Sequence, residues 1–143
     1  MEKSIKQILT SIETFSSSHK GIASFSTNPI QKNIAKGSLY PMLFVEIGTA
    51  TIEPGQIRLN LNCYFLTIPS KEGDYVKGLS DMLRLSEDFM TYFNKNEETH
   101  GFYLSDTATA EPVQMAFDDL AIGFKLPIVV QTKSSENEAL ISI

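Results

Sequence analysis

The chain has 143 residues, one domain by length, and its 42% hydrophobic and 20% charged residues are the make-up of a globular protein that needs no metal or disulfide to hold its core. A formal charge of −5, with the twelve Lys and Arg residues scattered singly, excludes the concentrated basic patch that gripping nucleic acid requires, though not a protein past which DNA slides. No stretch approaches the ~20 apolar residues of a membrane span; Met1-Glu2-Lys3-Ser4-Ile5 has no unbroken apolar run, so no signal peptide is expected.

Residues 4–15 place Ile5, Ile8, Leu9, Ile12 and Phe15 on one helical face. The run Ser16-Ser17-Ser18-His19-Lys20-Gly21 ends that helix, with serines for turn geometry and a glycine for the left-handed position. Residues 22–25 can form a short strand, Asn28-Pro29 is a turn, and residues 30–36 can form a turn or two of helix. Residues 39–47 read as a strand with little alternation, buried on both faces, and Pro41 suits its entrance. A loop over 48–55 around Glu53-Pro54-Gly55 leads back into a second strand, making an antiparallel hairpin. In that second strand Ile57, Leu59, Leu61, Cys63 and Phe65 share one face, with Arg58, Asn60, Asn62 and Tyr64 on the other. At about twelve residues it would span ~40 Å, enough for one end of the hairpin to project from the domain.

The period then changes. Tyr75, Val76, Leu79, Met82, Leu83, Ser86, Phe89, Met90 and Phe93 recur at three- and four-residue steps, which predicts an amphipathic helix of ~30 Å capped between Ser70 and Asp74. Asp81, Arg84, Glu87 and Asp88 form its wet side, and Gly78 inside it points to close packing. After a polar turn over 94–101 come a short strand at 102–104, a segment 107–117 broken by Pro112, a turn at Asp118-Asp119, and a strand over 121–131. Pro127 predicts an edge position for that last strand. The expected fold is α+β: a mixed, mainly antiparallel four-stranded sheet in the order α-β-β-α-β-β, with both helices packed on it. Residues 1–131 form the single domain and 132–143 a flexible tail with the apolar tip Ala139-Leu140-Ile141-Ser142-Ile143.

Catalytic side chains are few. Cys63 lies on the apolar strand face and reads as a small buried hydrophobe in a reducing compartment; His19 and His100 read as loop histidines. Metal-ligand pairs, phosphate loops and nucleophile elbows have no match. The acidic residues Asp106, Glu111, Asp118 and Asp119 can be brought together to hold Mg²⁺, or can simply serve turns. A ligand pocket between the long helix and the sheet exists only if Leu79, Met82, Phe89 and Phe93 leave room for one. Neither catalytic nor cofactor-binding nor metal residues are assigned, and no cofactor is expected. The hairpin and the tail suit binding, because extended segments add to neighbouring sheets or grooves.

The order helix, long loop, Tyr40-Pro41 opening a strand that ends Val45-Glu46, second strand and long amphipathic helix resembles the small tail-terminator and neck ring proteins of tailed bacteriophages. The likeness is strongest to ring proteins of crAss-like phages. It extends through Asp106-x-Ala108-x-x-Glu111-Pro112, Phe117-Asp118-Asp119 and Gly123-Phe124, covering about residues 1–130. Residues 132–143 depart from it, having neither the Cys nor the Pro usual in that part of the family. The resemblance implies a structural virion protein that performs no reaction: a homo-oligomeric ring of six or twelve copies at the head–tail junction. Its partners would be adjacent neck, portal and tail rings and the DNA passing through its lumen without sequence-specific binding, with no membrane involved. It would be made in the bacterial host cytoplasm and reside in the virion. Subunit contacts would fall on the hairpin (Glu46, Ile47, Thr51, Ile52, Glu53 and Gln56) and on the tail (Leu140, Ile141 and Ile143). The competing readings are a metal-dependent enzyme using the clustered carboxylates and a small-ligand-binding domain.

Overall fold

The computed structural model describes residues 5–27, 40–69, 75–95, 102–105, 107–116 and 121–133. Its elements are α1 (Ile5–Ser18), β1 (Ser24–Ser26), β2 (Met42–Glu53), β3 (Gln56–Thr67), α2 (Tyr75–Lys95), β4 (Tyr103–Leu104), β5 (Glu111–Ala116) and β6 (Ala121–Lys133). The strands form one sheet in the order β1-β2-β3-β6-β4, with β5 also paired to β6. Only β1 runs parallel to its neighbour; every other pairing is antiparallel. The α+β class and the mixed, mainly antiparallel sheet are therefore as expected. The four-stranded count and the order α-β-β-α-β-β are not: the described residues form six strands, in the order α-β-β-β-α-β-β-β. The two additions are 24–26, within the stretch that can form a short strand, and 111–116; both gain strand geometry by pairing with longer neighbours.

At the centre lies β3. It pairs with β2 from Met42↔Leu66 to Glu53↔Gln56 and with β6 from Thr67↔Ile122 to Gln56↔Lys133. Its alternation works as read: Leu59, Leu61, Cys63 and Phe65 are buried, while Arg58, Asn60, Asn62 and Tyr64 face outward. Leu43 and Val45 of β2 and Leu126, Ile128 and Val130 of β6 share the buried face. Both helices lie over it. From α1 come Ile8, Ile12 and Phe15, and from α2 Met82, Leu85, Phe89 and Phe93. Each fully buried side chain of this size contributes about 1.5–3 kcal/mol. The Phe89 ring stands edge-on to Phe15 (5.4 Å) and Phe65 (5.7 Å) and lies 4.8 Å from Phe93, so it joins α1, α2 and β3 at one point. On the opposite face Met42 and Phe44 are buried beside Tyr40 and Tyr64, the two-sided burial expected of this strand's first half.

Gly78 is buried where α2 meets the sheet: a Cβ there would lie 3.0 Å from Ile122 Cδ1 and 3.3 Å from Thr67 Cγ2. Closer still is Gly123, whose φ of 157° and whose missing Cβ, 1.8 Å from the Phe65 carbonyl oxygen, let β6 approach β3.

Pro127 corrects the edge expectation for β6. The strand is interior, paired with β3 on one side and with β5 and β4 on the other. Val129 turns its carbonyl toward β4, accepting from the Ser105 amide at 3.1 Å. Two residues away, Pro127 faces the same side. There β5 pairs no further along β6 than Lys125, and β4 begins opposite Val130. The proline thus occupies a local gap in an interior strand's outer edge, where no donor is needed.

Residues 1–4, 28–39, 70–74, 96–101, 106, 117–120 and 134–143 lie outside the described residues. With them go the expected turn at Asn28-Pro29, the short helix over 30–36, the α2 cap, the turn at Asp118-Asp119 and all of the tail past Lys133.

Candidate functional site

The hairpin was expected to turn over residues 48–55; instead the turn is confined to Pro54-Gly55, and β2 continues to Glu53. Gly55 has φ 76°, the value a turn with proline first and glycine second requires. The pairing slips by one residue between Ile47 and Ala50, a bulge at Gly48-Thr49. Asn60 holds it, its Nδ2 donating to Thr49 Oγ1 at 2.8 Å and to the Thr49 carbonyl at 3.2 Å.

From Glu46 to Ile52 every residue of β2 is exposed. The arm has two unlike faces. On the face away from the helices, polar side chains tie β2 to β3: Glu46 accepts from Asn62 Nδ2 at 3.2 Å and from the Tyr64 hydroxyl, and Glu53 lies 3.5 Å from Arg58. Burial, then the Glu46 carboxylate through its charge and hydrogen bond, then Glu111 push the Tyr64 phenol above its ordinary value. The Glu53–Arg58 pair is half exposed and contributes little, as screened surface pairs do. Opposite Leu61, Leu59 and Ile57 on the helix-side face stand Ile47, Ala50 and Ile52. Here Ile47 is 45% and Ile52 80% exposed, large apolar groups on the same face as the core yet beyond its cover.

Among the described residues, the main chain of this stretch is paired on one side only. Pro41 accepts from the Ala23 and Ser24 amides, so its polar groups face β1. By the alternation of an antiparallel ladder, so do those of Leu43, Val45 and Ile47; past the bulge Ala50 and Ile52 take over that direction. β1 reaches only to Phe44, and no described strand lies beside the remainder. Such an edge is a template for another strand.

Of the nine expected contact residues, Glu46, Ile47, Thr51, Ile52, Glu53 and Gln56 come together on this arm. Leu140, Ile141 and Ile143 lie outside the described residues. Sequence reading missed Thr49 of β2 and Arg58, Asn60, Asn62 and Tyr64 of β3 as the arm's polar ties, although the two-residue spacing of the latter four signals a shared face. Gln56 Nε2 donates to Gln131 Oε1 at 3.0 Å, extending the stitching onto β6.

Of the carboxylates considered for metal, Glu111 is exposed on β5, opposite Lys125; Asp106, Asp118 and Asp119 lie outside the described residues. Among the described residues no three His, Cys, Asp or Glu side chains group as metal ligands would. Cys63 is fully buried, and desolvation pushes its thiol far up. His19 bridges the helices: Nε2 lies 2.9 Å from Asp88 Oδ2, and Nδ1 accepts from the Gly21 amide at 2.9 Å. That acceptor role places the neutral ring's proton on Nε2, donating to Asp88. Met82, Phe89 and Phe93 fill the space between α2 and the sheet. An open groove of about 460 Å³ runs instead along the flank of α2, lined by Leu83, Met90, Ala108, Ala110 and Leu126 among others.

The fold is an α+β domain with a helix layer on one sheet face and a long, two-faced β2–β3 hairpin, flanked by β6 as far as its turn. A scan against protein-family models returns no match, and no curated protein matches the sequence significantly.

Proposed function

We propose that this chain is a structural virion protein of a tailed bacteriophage, a tail-terminator-like ring at the head–tail junction that performs no reaction. Six or twelve copies would surround the passing DNA and contact the neighbouring neck, portal and tail rings. The observation that carries this reading is the arm, whose exposed Ile47 and Ile52, on a strand edge unpaired among the described residues, suit a protein partner better than solvent. Contacts made by such an arm on a different surface of the next copy are heterologous, and heterologous contacts close into rings when the rotation allows. The net charge of −5 fits a lumen along which DNA moves without sticking. The likeness in element order to phage neck proteins supplies the location, and with it assembly in the host cytoplasm followed by residence in the virion. Mass spectrometry of purified virions is the test: the chain should appear at a copy number of six or twelve, and its absence would end the proposal.

A further inference from the structure

We infer that α2 is a docking surface for α2 of a second copy, the two helices lying antiparallel across a twofold axis beside Leu83 and Arg84. The pairing uses no part of the hairpin and stands apart from the ring reading. Besides the stripe that faces the sheet, α2 carries a second apolar line. Val76, Leu79, Leu83 and Met90 recur at steps of three, four and seven, the spacing of a helix–helix seam. On that line Val76 is 69% and Leu83 47% exposed, on a helix whose core side is already filled by Met82, Leu85, Phe89 and Phe93. Beside Leu83 the open groove of about 460 Å³ gives room for an incoming side chain. Its small wall residues Ser80, Ser86, Ala108 and Ala110 let a second helix come close.

Charge selects the occupant. Of the four residues on the wet side of α2, two are paired within the molecule: Asp81 with Lys77 at 3.1 Å and Asp88 with His19 at 2.9 Å. Arg84 and Glu87, opposite in sign and one turn apart, have no ion-pair partner among the described residues. That remaining pair is self-complementary. Across a twofold axis Arg84 of each copy stands beside Glu87 of the other, and Leu83 of each enters the other's groove. Parallel helices in register would set like charges side by side, so the charges choose the antiparallel arrangement. From Val76 to Met90 the seam is ~21 Å long. That is a narrow strip against the ~800 Å² per partner of a standard interface, so the dimer depends on protein concentration. Copies that also form a sixfold ring would be joined by this axis as two rings face to face.

The test is charge exchange in the full chain, read by sedimentation at low salt, where screening is least. Arg84→Glu alone and Glu87→Arg alone each set like charges together and should raise the dimer dissociation constant roughly tenfold. The double exchange, and an equal mixture of the two single variants, restore opposite signs across the axis and should associate as the parent does. Both residues are exposed, so the exchanges leave the core untouched. Leu83→Cys, with buried Cys63 silent toward the reagent, should be joined by a short bismaleimide into dimers and nothing larger, because the contact is the same from both sides. A parent that stays monomeric at millimolar concentration would overturn the pairing. So would single exchanges that associate like the parent, a double exchange no better than the singles, or unlinked Leu83→Cys chains. Rings in micrographs that neither exchange affects would overturn it while the ring reading stands. Pairing by a chain absent from virions would uphold it and end that reading.

Discussion

Phe89 is where the fold is most open to a quantitative challenge. Its ring is 0% exposed and touches Phe15 of α1, Phe65 of β3 and Phe93 one turn further along α2. Phe89→Ala removes a large buried ring and leaves a cavity between rings that are themselves wedged, a change that typically lowers stability by about 3–5 kcal/mol. The two edge-to-face pairs lost with it add roughly 0.5–1.5 kcal/mol each to what area alone would give, so a value of ~4 kcal/mol is expected. Phe89→Leu keeps most of the apolar volume and should lose only ~1.5 kcal/mol. With no tryptophan in the chain, urea unfolding is followed by far-ultraviolet circular dichroism. At a slope of about 2 kcal/mol per molar urea, the alanine variant's midpoint should fall by ~2 M. A loss below about 1 kcal/mol for Phe89→Ala, or equal losses for the two variants, would refute the claim that this ring joins the three elements.

Gly123→Ala should be among the most damaging single-methyl changes in the chain. Its Cβ would sit 1.8 Å from the Phe65 carbonyl oxygen and 3.1 Å from Leu66 Cα, both backbone, so β6 and β3 must separate. A loss above ~3 kcal/mol is expected; a melting temperature unchanged from the parent would show that β6 is free to shift. Tyr64 gives a pH signature. Its phenol is held protonated above the ordinary value of 10.0 in the folded state, so its contribution to stability is fully present below that pH and is lost as pH rises toward the folded value. Denaturation between pH 9 and 11 should show this decline in the parent and a shallower one in Tyr64→Phe; parallel curves would dismiss it.

What could be read from the sequence was whatever a single period encodes. The two-residue alternation of β3 and the helical stripe of α2 were visible because one side of each must be dry, and both are found where expected. Residues 48–52 gave no such signal. Gly-Thr-Ala-Thr carries little apolar character, and its strand geometry comes from the ladder to β3 rather than from burial. β1 and β5 were likewise fixed by their neighbours. Pro127 misled for a related reason: the rule that proline avoids interior strands concerns a donor facing a partner, and here the partner strands leave a gap at that position. The arm's six expected contact residues are adjacent in space, which their positions on either side of one turn made legible.

The bulge at Gly48-Thr49 has an evolutionary consequence. Beyond it, β2 takes its course from main-chain bonds on one side and a clamp by Asn60, and its outward side chains help fill no core. Those side chains are therefore free to change while the scaffold beneath them stays the same, so one architecture tolerates quite different surfaces along this strand.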